Sequence, residues 1–385
     1  MPSSNRVVLA TAGSGKTTTL VDEVLADRGR RVLVLSYTQE NVNEIRKRII
    51  HHLGWIPAHI TVQGWFTFTL KEGVRPFQNY MYDGPRIDSM LFETPTEEWY
   101  KRIPKSNTKR YYFTSTGKIY RDRMSDFIVE VNKASGGRVV ERICQMYDAV
   151  YIDEIQDLTG WDLELLDLLM SSPVRMVVAG DVRQAILSTT NSTKNKKFQG
   201  FGLVEYFKDR ERKGKCDVEL KSTTYRCVQL VADFADGLYP GIEQRTTSLN
   251  TQTTDHDGVY VIRAADVPEY VAWFKPQVLR YTKNQDGYWS NALNIGVAKG
   301  QTFDRVLINL QGPGHTYLET GLLSKTERGK VKPAFDIAKL YVAVTRARFS
   351  VAFVHDGTCA LYGVRTYTPS QLPPLRTVAE STQAR

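Results

Sequence analysis

The sequence predicts an α/β fold with two parallel-sheet domains and a subdomain inserted in the first. Three observations carry this. Short β-branched runs recur at 6–9, 32–35, 149–152, 176–179, 259–262, 306–310 and 351–354, and several are apolar throughout, as strands buried on both faces of a parallel sheet are. Helix-patterned stretches lie between them at 18–27, 39–51, 161–170 and 229–238; strands alternating with helices build parallel sheets through crossovers. The 385 residues are enough for two such sheets.

The elements divide as follows. Residues 1–70 and 141–215 are read as the first sheet domain and 216–365 as the second. Residues 71–140 lack the strand–helix rhythm. They are rich in Tyr, Phe, Lys and Arg, are broken by Pro76, Pro95 and Pro104, and are read as an inserted basic and aromatic subdomain. Residues 366–385, with Pro369, Pro373, Pro374 and little apolar content, are expected to be a disordered tail.

Composition narrows the function classes. Hydrophobic residues make up 42% of the chain, but the longest apolar runs are strand-sized, which argues against a membrane span. The polar start, running directly into a strand, leaves no room for a secretion signal, so a cytoplasmic location is expected. Cys144, Cys216, Cys227 and Cys359 include no CxxC pair, which fits reduced structural thiols and not a zinc or redox centre. The net charge of +9 favours polyanionic partners.

The first strand runs into Ala10, Thr11, Ala12, Gly13, Ser14, Gly15, Lys16, Thr17 and Thr18, followed by a helix pattern. This is the strand–loop–helix order of a P-loop. Glycines let backbone N–H groups converge on phosphate oxygens, the helix adds its positive end, and Lys16 reaches the β and γ phosphates. Ala12, Gly13, Ser14, Gly15, Lys16, Thr17 and Thr18 are therefore the expected contacts to ATP, with the Thr17 hydroxyl on Mg²⁺. The run 150–152 delivers Asp153 and Glu154 at a strand end. Asp153 is the expected second holder of Mg²⁺, and Glu154 the base that orients and deprotonates water.

These residues, in this order, resemble superfamily 1 helicases of the UvrD, Rep and PcrA type. Asp153-Glu154-Ile155-Gln156-Asp157 looks like that family's DExQD box, and residues 180–186, from Gly180 through Gln184, like its GDxxQxI motif. Ser36-Tyr37-Thr38-Gln39 is similar to the TFTN motif, and residues 61–66 to TFHSF. Residues 220–226 resemble LxxNYR, residues 294–306 resemble HxAKGLEF, and residues 341–348 match YVAxTRA. The resemblance implies two RecA-like P-loop NTPase domains with ATP hydrolysed between them, driving 3′ to 5′ movement on single-stranded or tailed duplex DNA. It assigns Gln184 to γ-phosphate sensing, Tyr225 to the adenine, and Arg226 and Arg346 to arginine fingers, a device worth roughly 10³ to 10⁵ in rate. It places Tyr37, Thr38, Trp65 and Phe66 near the strand. The basic stretch of the insertion adds Lys101, Arg102, Lys105, Lys109, Arg110, Tyr111, Tyr112 and Tyr120, with Lys109 and Arg110 foremost.

The chain also departs from the pattern. After Ile186 it reads Leu187-Ser188-Thr189-Thr190, where the family has an aromatic, so the usual base-stacking platform is missing. Gly296, Gln301 and Thr302 replace the His, Leu and Glu of HxAKGLEF. Arg226 and Gly296 stand too close in sequence for the family's large second insertion, which implies a compact motor. Two alternatives stay open. One is a helicase-like DNA-sensing ATPase regulating a partner nuclease in repair or antiviral defence, similar to the helicase-like subunit of the Gabija system. The other is a viral-type RNA helicase, since 299–303 and 225–227 also resemble motifs of that group. A silent binding module is disfavoured by the intact Lys16, Thr17, Asp153, Glu154, Gln184, Arg226 and Arg346.

Overall fold

The computed structural model describes residues 5–190, 192–241, 244–281, 292–310, 312–327 and 330–369. The chain divides into two compact units, Met1–Thr11 with Gly15–Lys221, and Ala12–Ser14 with Ser222–Arg385. The first contains six parallel strands, β1 (Arg6–Ala10), β2 (Val32–Ser36), β3 (Ile60–Gly64), β4 (Ala149–Ile152), β5 (Arg175–Gly180) and β6 (Asp217–Lys221), in the spatial order β3-β2-β4-β5-β1-β6.

Alternation explains why four of these strands read as continuous apolar runs. Val7, Leu9, Leu33, Leu35, Val150, Ile152, Met176 and Val178 face one core. Val8, Ala10, Val32, Val34, Ala149, Tyr151, Val177 and Ala179 face the other. Helices α1 (Lys16–Ala26) and α2 (Gln39–Leu53) cover the second face with Leu20, Val21, Val24, Val42, Ile45 and Ile49. The first face is closed by Met124–Ala134, Arg138–Met146, Trp161–Met170 and Gly202–Arg212.

One boundary and the standing of the insertion differ from the sequence reading. The division expected after residue 215 falls after Lys221, because β6 pairs along β1 from Arg6↔Asp217 to Ala10↔Lys221. Its alternating polar sequence suits a half-exposed edge strand, which a search for apolar runs misses. Residues 71–140 do not build a core of their own either. Val74, Phe77, Tyr82, Tyr112, Phe113, Phe127 and Ile128 belong to the same apolar cluster as Leu33 and Val150.

The second unit holds a second parallel sheet. Its strands are β7 (Gly258–Ile262), β8 (Gln277–Arg280), β9 (Leu293–Asn294), β10 (Phe303–Asn309), β11 (Ala347–Val354) and β12 (Val364–Thr366), in the order β9-β8-β10-β11-β7-β12. Residues 366 and 367 do not belong to a disordered tail. Thr366 ends β12, which pairs with β7, and Tyr367 is buried against Tyr270 and Phe274. Residues 370–385, the rest of that expectation, lie outside the described residues.

The fold is thus α/β with two six-stranded parallel sheets. Among the described residues no helix is long and apolar enough to cross a membrane. The four cysteines are free, and burial pushes the Cys216 and Cys227 thiols up to about 11.

Candidate functional site

Strands β4, β5 and β1 are neighbours and parallel, so their carboxyl ends lie side by side. That edge is where open α/β sheets place ligands. Each of the three ends leads into one of the motifs read from the sequence. After β1, Gly13 and Gly15 adopt left-handed backbone with φ of 74° and 76°, which turns the chain into α1 at Lys16. Lys16 Nζ donates to Thr11 O at 3.3 Å, and among the described residues no carboxylate pairs with it. Ser14 Oγ is buried with no hydrogen-bond partner among the described residues. An ammonium with no carboxylate partner among the described residues, an orphaned hydroxyl and the N-terminus of an eleven-residue helix form a donor set suited to phosphate.

Across from the loop, Thr17 Oγ1 donates to Asp153 Oδ2 at 2.8 Å. This is the pair expected to hold Mg²⁺, and hydroxyl and carboxylate oxygens are the hard donors that ion takes. Asp153 is buried, and its carboxyl is raised above the usual range by burial first and by the Glu154 charge second. The Thr17 hydrogen bond and the Lys16 charge oppose that rise.

Glu154 sits in left-handed backbone at φ 60°, a strained setting for a non-glycine residue. Its Oε2 accepts from Gln156 Nε2. Gln156 Oε1 in turn accepts the Asp181 N–H at 3.0 Å, and Asp181 Oδ2 accepts from Gln184 Nε2 at 2.8 Å. Gly180 makes room for this, since a Cβ there would stand 2.4 Å from Gln156 Oε1. Glu154 and Gln184 are therefore brought together through Gln156 and Asp181. Within the DExQD box nothing in the residue type of Gln156 sets it apart; its burial, at 2% exposure, reveals its part.

In the second unit Tyr225 is 64% exposed, with its ring available for stacking. Arg226 Nη1 donates to Thr345 O at 3.0 Å. Arg346, read from the sequence as the second finger, is buried. It is 1% exposed, and its guanidinium donates from Nε to Val342 O at 3.0 Å and from Nη1 to Gln301 O at 3.3 Å. These bonds tie it to the strand-leading loop of its own unit.

The residues expected near a nucleic-acid strand separate into surface and core. Tyr37 is half-buried, with its ring edge-on to Phe66 at 5.5 Å, and Thr38 caps α2 by accepting the Asn41 N–H at 3.2 Å. Trp65 is a correction: it is 1% exposed and its indole N–H donates to buried Asp162 at 3.0 Å, so it is a core residue. Phe66, at 8% exposure, presents only an edge. In the insertion, Tyr112 and Tyr120 are buried, and Lys105 is held by Asp126 at 2.5 Å and Glu130 at 2.7 Å. Lys109 and Arg110 are exposed and without acidic partners among the described residues.

Comparison with known proteins supplies one family and a set of structural likenesses. Residues 1–190 match a family described as AAA domain. No curated protein matches the chain. Among solved structures, it is similar to the Arterivirus nonstructural protein 10 helicase at 15% identity and a TM-score of 0.45, covering 92% of this chain and 60% of that one. It is also similar to the PRRSV helicase at 16% identity and a TM-score of 0.43, covering 91% of this chain and 52% of that one. The Arterivirus helicase solved with DNA gives 14% identity and a TM-score of 0.45, covering 92% and 61%. The chain thus spans between half and two thirds of the length of these proteins. The part of the chain that this family model matches, residues 1–190, carries the glycine loop at the carboxyl end of β1.

Proposed function

We propose that the protein is an ATP-dependent helicase or translocase that moves along single-stranded DNA in the 3′ to 5′ direction. The observation that carries this reading is the linked geometry at the carboxyl edge of the first sheet. There the Thr17–Asp153 pair lies beside a hydrogen-bonded series running from Glu154 through Gln156 and Asp181 to Gln184. Lys16 and the loop N–H groups would bind the phosphates, and Thr17 with Asp153 would hold the metal. Mg²⁺ bound with ATP supplies charge neutralisation at the scissile phosphate. Glu154 orients water and takes its proton, and Gln184 senses the terminal phosphate at the far end of the same series. Tyr225 is assigned to the base and Arg226 to the phosphate charge.

Tyr37, Thr38, Phe66, Lys109 and Arg110 are the candidate contacts to the strand. Support for nucleic acid comes from the motif series, the basic net charge and these surface residues. The test is phosphate release by the full chain with and without oligo(dT) and oligo(rU). Stimulation by oligo(dT) is expected; stimulation by oligo(rU) alone would move the substrate to RNA. Absence of stimulation by either would defeat the motor reading.

A further inference from the structure

We propose that Phe92 and Arg121 form a stacking platform for one unpaired nucleobase of a single-stranded nucleic acid, an inference that rests on the strand-binding reading above. The place where an aromatic was expected, after the GDxxQ motif, offers none. Its hydroxyls are committed internally: Ser188 Oγ donates to Thr190 O at 2.8 Å, and Thr190 Oγ1 donates to Asp122 O at 2.9 Å. The second bond pins the residue that follows Arg121.

The insertion supplies the missing ring. Met90–Leu91 and Ile119–Tyr120 form a short parallel pair with Leu91 opposite Tyr120, which sets Phe92 beside Arg121 at the next position. The Arg121 guanidinium carbon lies 4.6 Å from the Phe92 ring centre and 5.3 Å from that of Phe66. Phe92 meets Phe66 edge-on at 5.9 Å, and Phe66 meets Tyr37 at 5.5 Å. An aromatic row therefore runs from the end of β2 out to the surface.

Two features mark the outer end of this row as a binding surface. Phe92 is 56% exposed although it packs on two neighbours. Arg121 has no ion-pair partner among the described residues, and its Nε is buried without an acceptor. A cation held against one ring, with phenyl surface left open beside it, suits a base stacked on the ring and a phosphate near the guanidinium. Stacking of this kind tolerates any base, as movement along a strand requires.

The experiment is fluorescence anisotropy of fluorescein-labelled oligo(dT) with the full chain. Phe92→Ala is expected to weaken binding about tenfold, and Phe92→Tyr and Phe92→Trp to restore it. An abasic oligonucleotide should bind the wild type no better than oligo(dT) binds the Phe92→Ala protein. Arg121→Ala should lower both the affinity and the salt slope. Thermal melts of the same variants exclude a folding defect as the cause, and the rescue by Tyr and Trp is the outcome a structural role would not produce. Wild-type binding that survives unchanged in Phe92→Ala would overturn the platform and leave the motor reading intact. Failure of the wild type to bind either oligo(dT) or oligo(rU) would overturn both. The same loss seen on oligo(rU) in place of oligo(dT) keeps the platform and identifies RNA as its strand.

Discussion

Gln156 uses both ends of its amide on other motifs, donating to Glu154 and accepting from the Asp181 N–H. Removing the side chain takes the Gln156 hydrogen bond away from Glu154, which sits in a strained backbone setting, without touching the phosphate loop. Gln156→Ala is therefore expected to lower kcat for ATP hydrolysis about tenfold while KM for ATP changes little, the pattern that follows when a positioning residue is removed. Gln156→Glu, which sets a second carboxylate against Glu154, should be at least as damaging. Steady-state phosphate release measures both, and a loss confined to KM would contradict the assignment. At this scale the sequence revealed residue types whose chemistry is local. Lys16, Thr17, Asp153 and Glu154 follow directly from a strand, a loop and a helix in order. It could not separate Trp65 from Tyr37 or Phe92, because an aromatic looks the same in sequence whether its polar tip finds a buried carboxylate or its ring meets solvent. Asp162 decides the first case, and a two-residue strand pair decides the last.

Elements buried on both faces were legible and edge elements were not. The apolar runs at β1, β2, β4 and β5 announce themselves, while the edge strands β6 and β12 carry charge on exposed positions and depend on a neighbour to become strands. In the second unit, β7 and the helix Val267–Phe274 are joined by His256, whose ring stacks on Tyr260 and on Phe274 at 3.9 Å each and whose Nε2 meets Tyr270 OH at 2.9 Å. Burial first, then Arg305 and Arg365, lowers its pKa from 6.5 to about 4, with Asp257 opposing. Between these two values the unfolded chain binds a proton that the folded unit does not, so stability is full above pH 6.5 and falls as pH drops toward 4. After allowance for solvent screening the loss is on the order of 1–2 kcal/mol. Urea unfolding at pH 7 and pH 5, followed through the second unit, should show this loss in the wild type. His256→Phe, which keeps the stacking and cannot titrate, should show less of it; an equal pH dependence would place the proton elsewhere.

For the whole molecule, a net charge of +9 says only that polyanions are favoured; the partners of each cation say where they would bind. Lys101 pairs with Glu98 at 2.8 Å, and Lys105 sits between Asp126 and Glu130. Lys109 and Arg110 have no such commitments among the described residues. The basic stretch that looks uniform in sequence therefore splits into structural and available charges. Replacing Lys109 and Arg110 by Ala should weaken oligo(dT) binding and flatten the log–log salt slope by about 1.4, roughly 0.7 for each phosphate of a single strand that is no longer neutralised. Melting should be unchanged, because exposed and unpaired cations contribute little to folding. Lys105→Ala should do the reverse. It strips the cation from Asp126, a carboxylate 1% exposed whose other partner is the Tyr111 hydroxyl at 3.3 Å, and should cost about 1–3 kcal/mol of stability with the salt slope kept. Anisotropy titrations across a salt series, set beside thermal melts of the same proteins, separate the two classes. A slope that Lys105→Ala flattens and the double variant leaves intact would place the strand's path on the opposite side of this insertion.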